Sequence, residues 1–230
     1  MTQLAPFVFV LAFAAVLGLV GWLVASTVRR NRAPADPAAR ADLARLAAAK
    51  GWMFTPRDDG YLRRFTGYPF GRGGRLRPAL DLVTGVHRGR TFACFRFAPP
   101  RSAPDAVAAV DQARVVAVAL PAAVPAVVVA GARNAPSARR YTVGDEAFDR
   151  AFTVGTDDEP FAARVLTEPV RRWLLANPPP GSLRLGGGPD LIAWQPDRGG
   201  FGAPEVEPAV DRLCDLLDRI PAEALRSQAG

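Results

Sequence analysis

The sequence is poor in the residues that build reactive sites. It has one histidine, His87, two cysteines, Cys94 and Cys214, and one lysine, Lys50. Two cysteines cannot make a disulfide framework. With no short-spaced Cys or His pair, a zinc centre lacks its ligand set. A histidine that activates a nucleophile needs a Ser, Cys or Asp partner in reach, and none is identifiable beside His87. Neither G-x-x-x-x-G-K-[ST] nor G-x-S-x-G occurs, so that kind of phosphate loop and a nucleophile elbow are both excluded. No catalytic residue, cofactor or metal ligand is expected.

Charge is absent from one long stretch. Residues 7–28, "FVFVLAFAAVLGLVGWLVASTV", hold no Asp, Glu, Lys or Arg. As a helix they span roughly 33 Å, enough to cross a bilayer core. The preceding "MTQLAP" has no basic residue, and the run exceeds the ~7–15 residues of a signal-peptide core. Arg29, Arg30 and Arg32 follow directly. The positive-inside tendency then puts the carboxy-terminal side in the cytoplasm. The expectation is a single-pass cell-membrane protein with its amino terminus outside.

The formal net charge is +7, and it is unevenly spread. Residues 29–101 carry 16 Arg/Lys against 5 Asp/Glu, a balance of +11. Residues 102–230 carry 13 against 17, a balance of −4. The basic half would face an anionic leaflet, where each basic group near the surface contributes about 1 kcal/mol. Arg29, Arg30, Arg32, Arg63, Arg64, Arg72 and Arg75 are the candidate contacts to anionic lipid headgroups. Tyr61, Phe65, Tyr68 and Phe70 interleave with four of these, a pattern that also suits nucleic acid. Adjacency to a membrane segment makes lipid headgroups the simpler partner, and no nucleic-acid partner is expected.

The remainder reads as short elements. Asp36 and Pro37 open a helix over 37–50, and Gly51 can take the left-handed conformation that ends it. Residues 79–86 and 90–98 are β-prone around His87-Arg88-Gly89, a hairpin in which His87 sits as an exposed turn residue. Ala93, Phe95 and Phe97 share one face of the second strand; Phe92, Cys94 and Arg96 share the other. Two apolar runs, 113–121 and 126–132, are predicted as strands bounded by Pro121 and Pro125. "GRGGR" at 71–75 reads as a loop.

The acidic stretch 145–159 could suggest a metal or acid–base site through Asp145, Glu146, Asp149, Asp157, Asp158 and Glu159. Its spacing fits better with a helical turn, a strand, a turn at Gly155-Thr156 and a helix capped by Asp157 or Asp158. Thr167 can cap a further helix that Pro178–Pro180 stop. A second hairpin is predicted from strands near 182–186 and 190–195. The last helix, 207–219, has an apolar stripe of Val210, Leu213, Cys214, Leu217 and Ile220.

The span followed by "AAAKGWMF", "FTGYPFGRGG", "LVTGVHRGRTF", "VVAVALPAAVP", "FDRAFTVGTDDEPFAARVLTEPVRRWLL", "GGGPDLIAW" and "LCDLLDRIP" resembles an uncharacterised family of actinobacterial single-pass membrane proteins carrying a domain of unknown function. The resemblance covers most of the chain. It implies fold and topology, and no activity or site residue.

The expected fold is α+β: a transmembrane helix, then a mostly antiparallel sheet with packed helices. Residues 1–6 would form an extracytoplasmic terminus, 7–28 the transmembrane helix, and 29–51 a basic linker and juxtamembrane helix. A cytoplasmic domain over 52–222 and a flexible tail over 223–230 would complete the chain. The expected function is a membrane-tethered cytoplasmic binding or scaffold domain with a protein partner of unknown kind. The alternatives are a hydrolase or transferase using Arg72, Arg75 and His87 on an anionic substrate, and an anionic-lipid-sensing module.

Overall fold

The computed structural model describes residues 36–70, 77–99, 112–131, 139–196 and 199–226. The transmembrane expectation for 7–28 lies outside these residues, as do Arg29, Arg30, Arg32, Arg72 and Arg75. Among the described residues, no helix is long and apolar enough to cross a membrane.

Helix α1 runs Pro37–Lys50. Asp36 accepts from the Ala38 N–H at 3.0 Å, Pro37 needs no donor in the first turn, and Gly51 (φ 67°) closes the helix. These are the local signals in the sequence, so the bounds match. The following elements are β1 (Met53–Asp58), a 3-10 turn at Tyr61–Arg64, β2 (Ala79–His87), β3 (Arg90–Phe97), β4 (Ala113–Val124) and β5 (Val127–Gly131). Then come β6 (Arg140–Tyr141), α2 (Glu146–Ala151), β7 (Phe152–Thr156), α3 (Glu159–Val165) and α4 (Glu168–Ala176). Strands β8 (Ser182–Leu185) and β9 (Gly188–Pro196) precede α5 (Ala203–Leu217).

The described strands form one nine-stranded sheet, ordered β1-β2-β3-β4-β9-β8-β5-β7-β6. Every pairing is antiparallel. The α+β expectation with a mostly antiparallel sheet is met. Side-chain alternation sends neighbouring residues to opposite faces. On β3, Phe92 and Cys94 join a core with Val116, Val118 and the helices. Ala93, Phe95 and Phe97 join a separate core with Val115, Ala117, Ile192 and Trp194.

The first face carries the helices. Leu43 and Ala47 of α1, Phe161 of α3, Leu174 of α4 and Val210 of α5 are buried there. Ala224 and Leu225, beyond α5, are buried in the same layer. The second face is covered by the chain after β1. Leu62, Phe65 and Phe70 pack against it, with Phe65 stacked on Phe70 at 4.7 Å and Tyr68 edge-on to Trp194 at 5.5 Å.

Three boundaries differ from expectation. Strand β4 continues through Pro121 to Val124. Its pairing to β3 stops at Val118, and its register to β9 breaks between Ala119 and Val124. Pro121 falls in that irregular stretch, where its missing donor costs no ladder bond. Gly155 and Thr156 are strand residues, opposite Val128 and Val127. The Thr156 hydroxyl donates to the Ala126 carbonyl at 2.8 Å, so the pairing with β5 absorbs the turn. Helix α5 starts at Ala203, four residues early, with Pro208 inside it. The Glu205 carboxylate accepts the Gly202 N–H at 2.7 Å and anchors that early start. Thr167 precedes α4 without donating or accepting a side-chain cap bond.

Candidate functional site

A cavity of about 430 Å³ opens between α4, α5 and the strands β4, β9 and β8. Val116, Leu183 and Ala193 form its floor; Trp173 from α4 and Ala209, Leu213 and Leu216 from α5 form its walls. The volume falls in the range of small-molecule sites, roughly 300–1,000 Å³. Local backbone makes room for it. A Cβ on Gly181 would lie 2.1 Å from the Trp194 carbonyl oxygen, so only glycine lets the α4–β8 connection run this close to β9. Pro208 has no N–H to offer the Pro204 carbonyl one turn earlier, and both prolines line the opening.

The polar groups at the rim are largely engaged with each other. Arg114 Nη1 donates to Glu205 at 3.0 Å and to the Gly200 carbonyl at 2.9 Å, and its guanidinium lies over the Phe201 ring. With its amide oxygen turned inward, Gln195 accepts from Arg114 Nε at 3.0 Å. Asn177 Nδ2 donates to the Trp173 carbonyl at 3.0 Å. Arg212 is exposed, donates to the Pro178 carbonyl at 3.3 Å, and has no carboxylate in ion-pair range among the described residues. Sequence reasoning missed this cavity. Its walls are ordinary apolar positions on α4 and α5, and only their apposition opens a space.

A second cluster pins the β2–β3 hairpin to α5. His87 Nε2 lies 2.7 Å from Asp211 Oδ1. Arg88 reaches Asp215 at 2.7 Å and Asp218 at 2.5 Å, and Arg90 reaches Asp218 at 2.7 Å. Asp211, Asp215 and Asp218 are spaced i, i+4, i+7, one face of a helix. That spacing is a signal carried by the sequence itself. The Asp211 carboxyl is held below its ordinary value, chiefly by the His87 hydrogen bond; burial opposes this, and the charges of His87 and Arg88 add to the lowering. His87 is therefore not the exposed turn residue expected. Its side chain is only 16% exposed and meets Trp52 edge-on at 6.1 Å. Trp52 covers the hairpin because position 85 is glycine: a Cβ there would lie 2.3 Å from the indole. The hydrolase alternative pairs His87 with Arg72 and Arg75, which lie outside the described residues.

Buried charges lie on both faces of the sheet. On the helical face Asp81 and Arg96, each 3% exposed, pair at 2.6 Å, and Arg40 of α1 reaches the same carboxylate at 2.6 Å. Asp81 sits at the β2–β3 register shift with φ 51°, which turns its carboxylate towards both arginines. On the aromatic face Arg184 donates to the Thr66 carbonyl and, at 2.6 Å, to the Tyr68 carbonyl. Burial lowers its pKa to about 10, Asp190 opposing. Burial raises the Asp190 carboxyl, against Arg64 and Arg184. Of the candidate headgroup contacts that are described, Arg63 is exposed. Arg64 sits over the Tyr61 and Phe65 rings and 3.6 Å from Asp190.

The acidic stretch is spent on backbone N–H groups and arginine side chains, Glu146 meeting Arg150 and Glu159 lying 3.6 Å from Arg139. Asp145 accepts from the Phe148 N–H at 3.2 Å and from Arg171 at 3.0 Å, contacts that lower its pKa. Asp149 accepts from the Val143 and Gly144 N–H groups, each at 3.0 Å. Asp158 accepts from the Phe161 N–H at 2.8 Å and caps α3. No group of three or more metal-type ligands converges among the described residues.

No family model matches the chain, and no curated protein matches it. Among solved structures it is similar to the crystal structure of the mycobacterial trehalose monomycolate transport factor A, TtfA, with a TM-score of 0.54 and 14% identity. The two chains share a fold. The correspondence covers 81% of this chain and 98% of the TtfA chain. The resemblance to actinobacterial proteins thus finds a mycobacterial neighbour in structure, without a family model to sharpen it.

Proposed function

We propose that this chain is a membrane-tethered accessory factor, an α+β binding or scaffold domain that serves the movement of a lipid or glycolipid in the cell envelope. The fold shared with TtfA, named for trehalose monomycolate transport, carries this reading. The charge-free run 7–28 supplies the tether, with the folded domain on the cytoplasmic side. Sequence reasoning assigns no catalytic constellation, and His87 and Asp211 belong to the ion-pair ladder that ties the hairpin to α5, so a binding role accounts for the observations with fewer parts.

Depleting the protein in its host and quantifying extracted envelope lipids tests the role. Accumulation of a glycolipid precursor is the expected result; an unchanged lipid profile overturns it. Topology is tested separately. Cys94 and Cys214 are buried, so an Asp59→Cys variant offers one accessible thiol, Asp59 being 71% exposed. A membrane-impermeant maleimide should label it only after lysis. Labelling in intact cells would put the domain outside.

The basic segment is proposed to contact anionic headgroups through Arg29, Arg30, Arg32, Arg63, Arg72 and Arg75. Arg64 contributes less, because Asp190 and two rings already hold it. In nanodiscs, hydrogen exchange over 61–70 should slow when anionic lipid replaces neutral lipid, and salt should reverse the change. Equal exchange in both lipids counts against this contact.

A further inference from the structure

We propose that the cavity between α4, α5 and the β4–β9–β8 strands binds a single-chain fatty carboxylate, the acyl chain on the apolar walls and the carboxylate on Arg212. The inference deepens the lipid reading above by naming a ligand class for this chain.

Three observations converge on that class. The interior is lined by Val116, Leu183, Ala193, Trp173, Leu213 and Leu216, which offer no strong hydrogen-bonding side chain apart from the indole N–H of Trp173. The fixed polar groups are already used: Arg114 by Glu205, Gly200 and Gln195, and Asn177 Nδ2 by Trp173. A sugar or a peptide entering here would bury polar groups with few partners. A hydrocarbon chain brings none.

The charge pattern then orients the chain. Arg212 borders the cavity without a carboxylate partner among the described residues, so it is a cation at the edge of an apolar space. Glu205 lies seven residues earlier on the same helix, about 10.5 Å along the axis and on nearly the same face. Its carboxylate is paired with Arg114, so that end offers no free cation to an anion. The ligand's carboxylate therefore sits at Arg212, where a charge-assisted, two-pronged contact to a guanidinium is available. The chain runs from there under Trp173 towards Ala193 and Ala209, the two small side chains that leave the space open.

The test uses the full chain in nanodiscs with a fatty acid carrying a diazirine at mid-chain. After photolysis, peptides are mapped by mass spectrometry. The expected result is label on the segments containing Trp173, Leu183 and Leu213, displaced by unlabelled myristate and not by its methyl ester. Ala209→Phe should cut cavity labelling by at least about tenfold, and Arg212→Gln by a similar factor, with Arg212→Lys restoring part of it. Ala193→Leu, on the cavity floor, serves as the second filling variant should Ala209→Phe fold poorly.

Label confined to 7–28 overturns the inference, since it reports the bilayer alone. So does cavity label that both filling variants leave unchanged. Displacement by lysophosphatidylglycerol and not by myristate overturns the carboxylate assignment. The readout does not depend on the depletion phenotype. Failure here therefore leaves the accessory role standing on its own test, and a silent depletion leaves the cavity assignment standing.

Discussion

The two faces of this sheet solve the same burial problem with different material. The helical face packs mainly aliphatic side chains, with Phe148 and Phe161 among them, from five described helices and leaves a cavity where α4 and α5 part. The aromatic face is closed by one short stretch, with rings in mutual contact: Phe65 on Phe70 at 4.7 Å and on Phe95 at 5.7 Å, and Phe70 on Phe97 at 5.0 Å. Rings locked against one another favour a rigid support. Separate helices laid side by side can leave a gap that a ligand fills. The ring-packed face and the face that holds the cavity are thus back to back on the same strands.

The contrast is sharpest in substitutions on the two sides. Phe95→Ala should destabilise by about 3–5 kcal/mol, because the ring is fully buried among rings that cannot collapse onto the space. Ala193→Val, on the other face, should stay within about 0.5 kcal/mol, since the added methyls enter an existing void. Denaturant unfolding of both variants measures the difference. A large loss at Ala193 would mean that the helical face is as tightly packed as the aromatic one.

Next in size is the buried pair that ties α1 to the sheet. Asp81→Ala removes the carboxylate that buried Arg96 meets at 2.6 Å, a loss of about 3 kcal/mol. It also releases Arg40. Exchange protection should fall first in α1. Global destabilisation with α1 unaffected would show that the helix is held by its other contacts, Leu43 and Ala47 in the core and Lys50 on Glu207.

The smallest expected effect comes with a sign that differs between the faces. Asp211 has a lowered carboxyl pKa, so its contribution to stability is present above the ordinary value of 3.8 and is lost as pH falls through the lowered one. Asp190 has a raised pKa, so its contribution is full below 3.8 and is lost as pH rises through the raised value. Asp211→Asn should flatten the acid-side fall in Tm, and Asp190→Asn should steepen it. Arg88→Ala, which removes exposed contacts to Asp215 and Asp218, should lower Tm by no more than a few degrees. Identical pH profiles for the two Asp variants would refute the assignment of opposite signs.

How much of this was legible depends on the range of the interaction. Helix α1 could be read to the residue, because Asp36, Pro37 and Gly51 act on their own neighbours. The first hairpin was legible for the same reason, Gly89 having φ 75° at its turn. The split of β3 into two faces followed from alternation alone, and both faces proved to be core. Pro121 misled because its meaning depends on which strands lie beside it. The sheet order, with β5 between β8 and β7, rests on contacts distant in sequence and leaves no local trace. The aspartate ladder on α5 did leave one, in its i, i+4, i+7 spacing. The cavity left none.

The sheet is open, so it has two ends, and both are poor templates. Strand β1 carries Pro56, which makes no register pair with β2, followed by the charged Arg57 and Asp58. At the other end β6 is two residues long. A proline, charge and brevity are the devices that keep one chain's ladder from being extended by the next. Many copies crowded on one surface can thus lie flank to flank without zipping into fibrils.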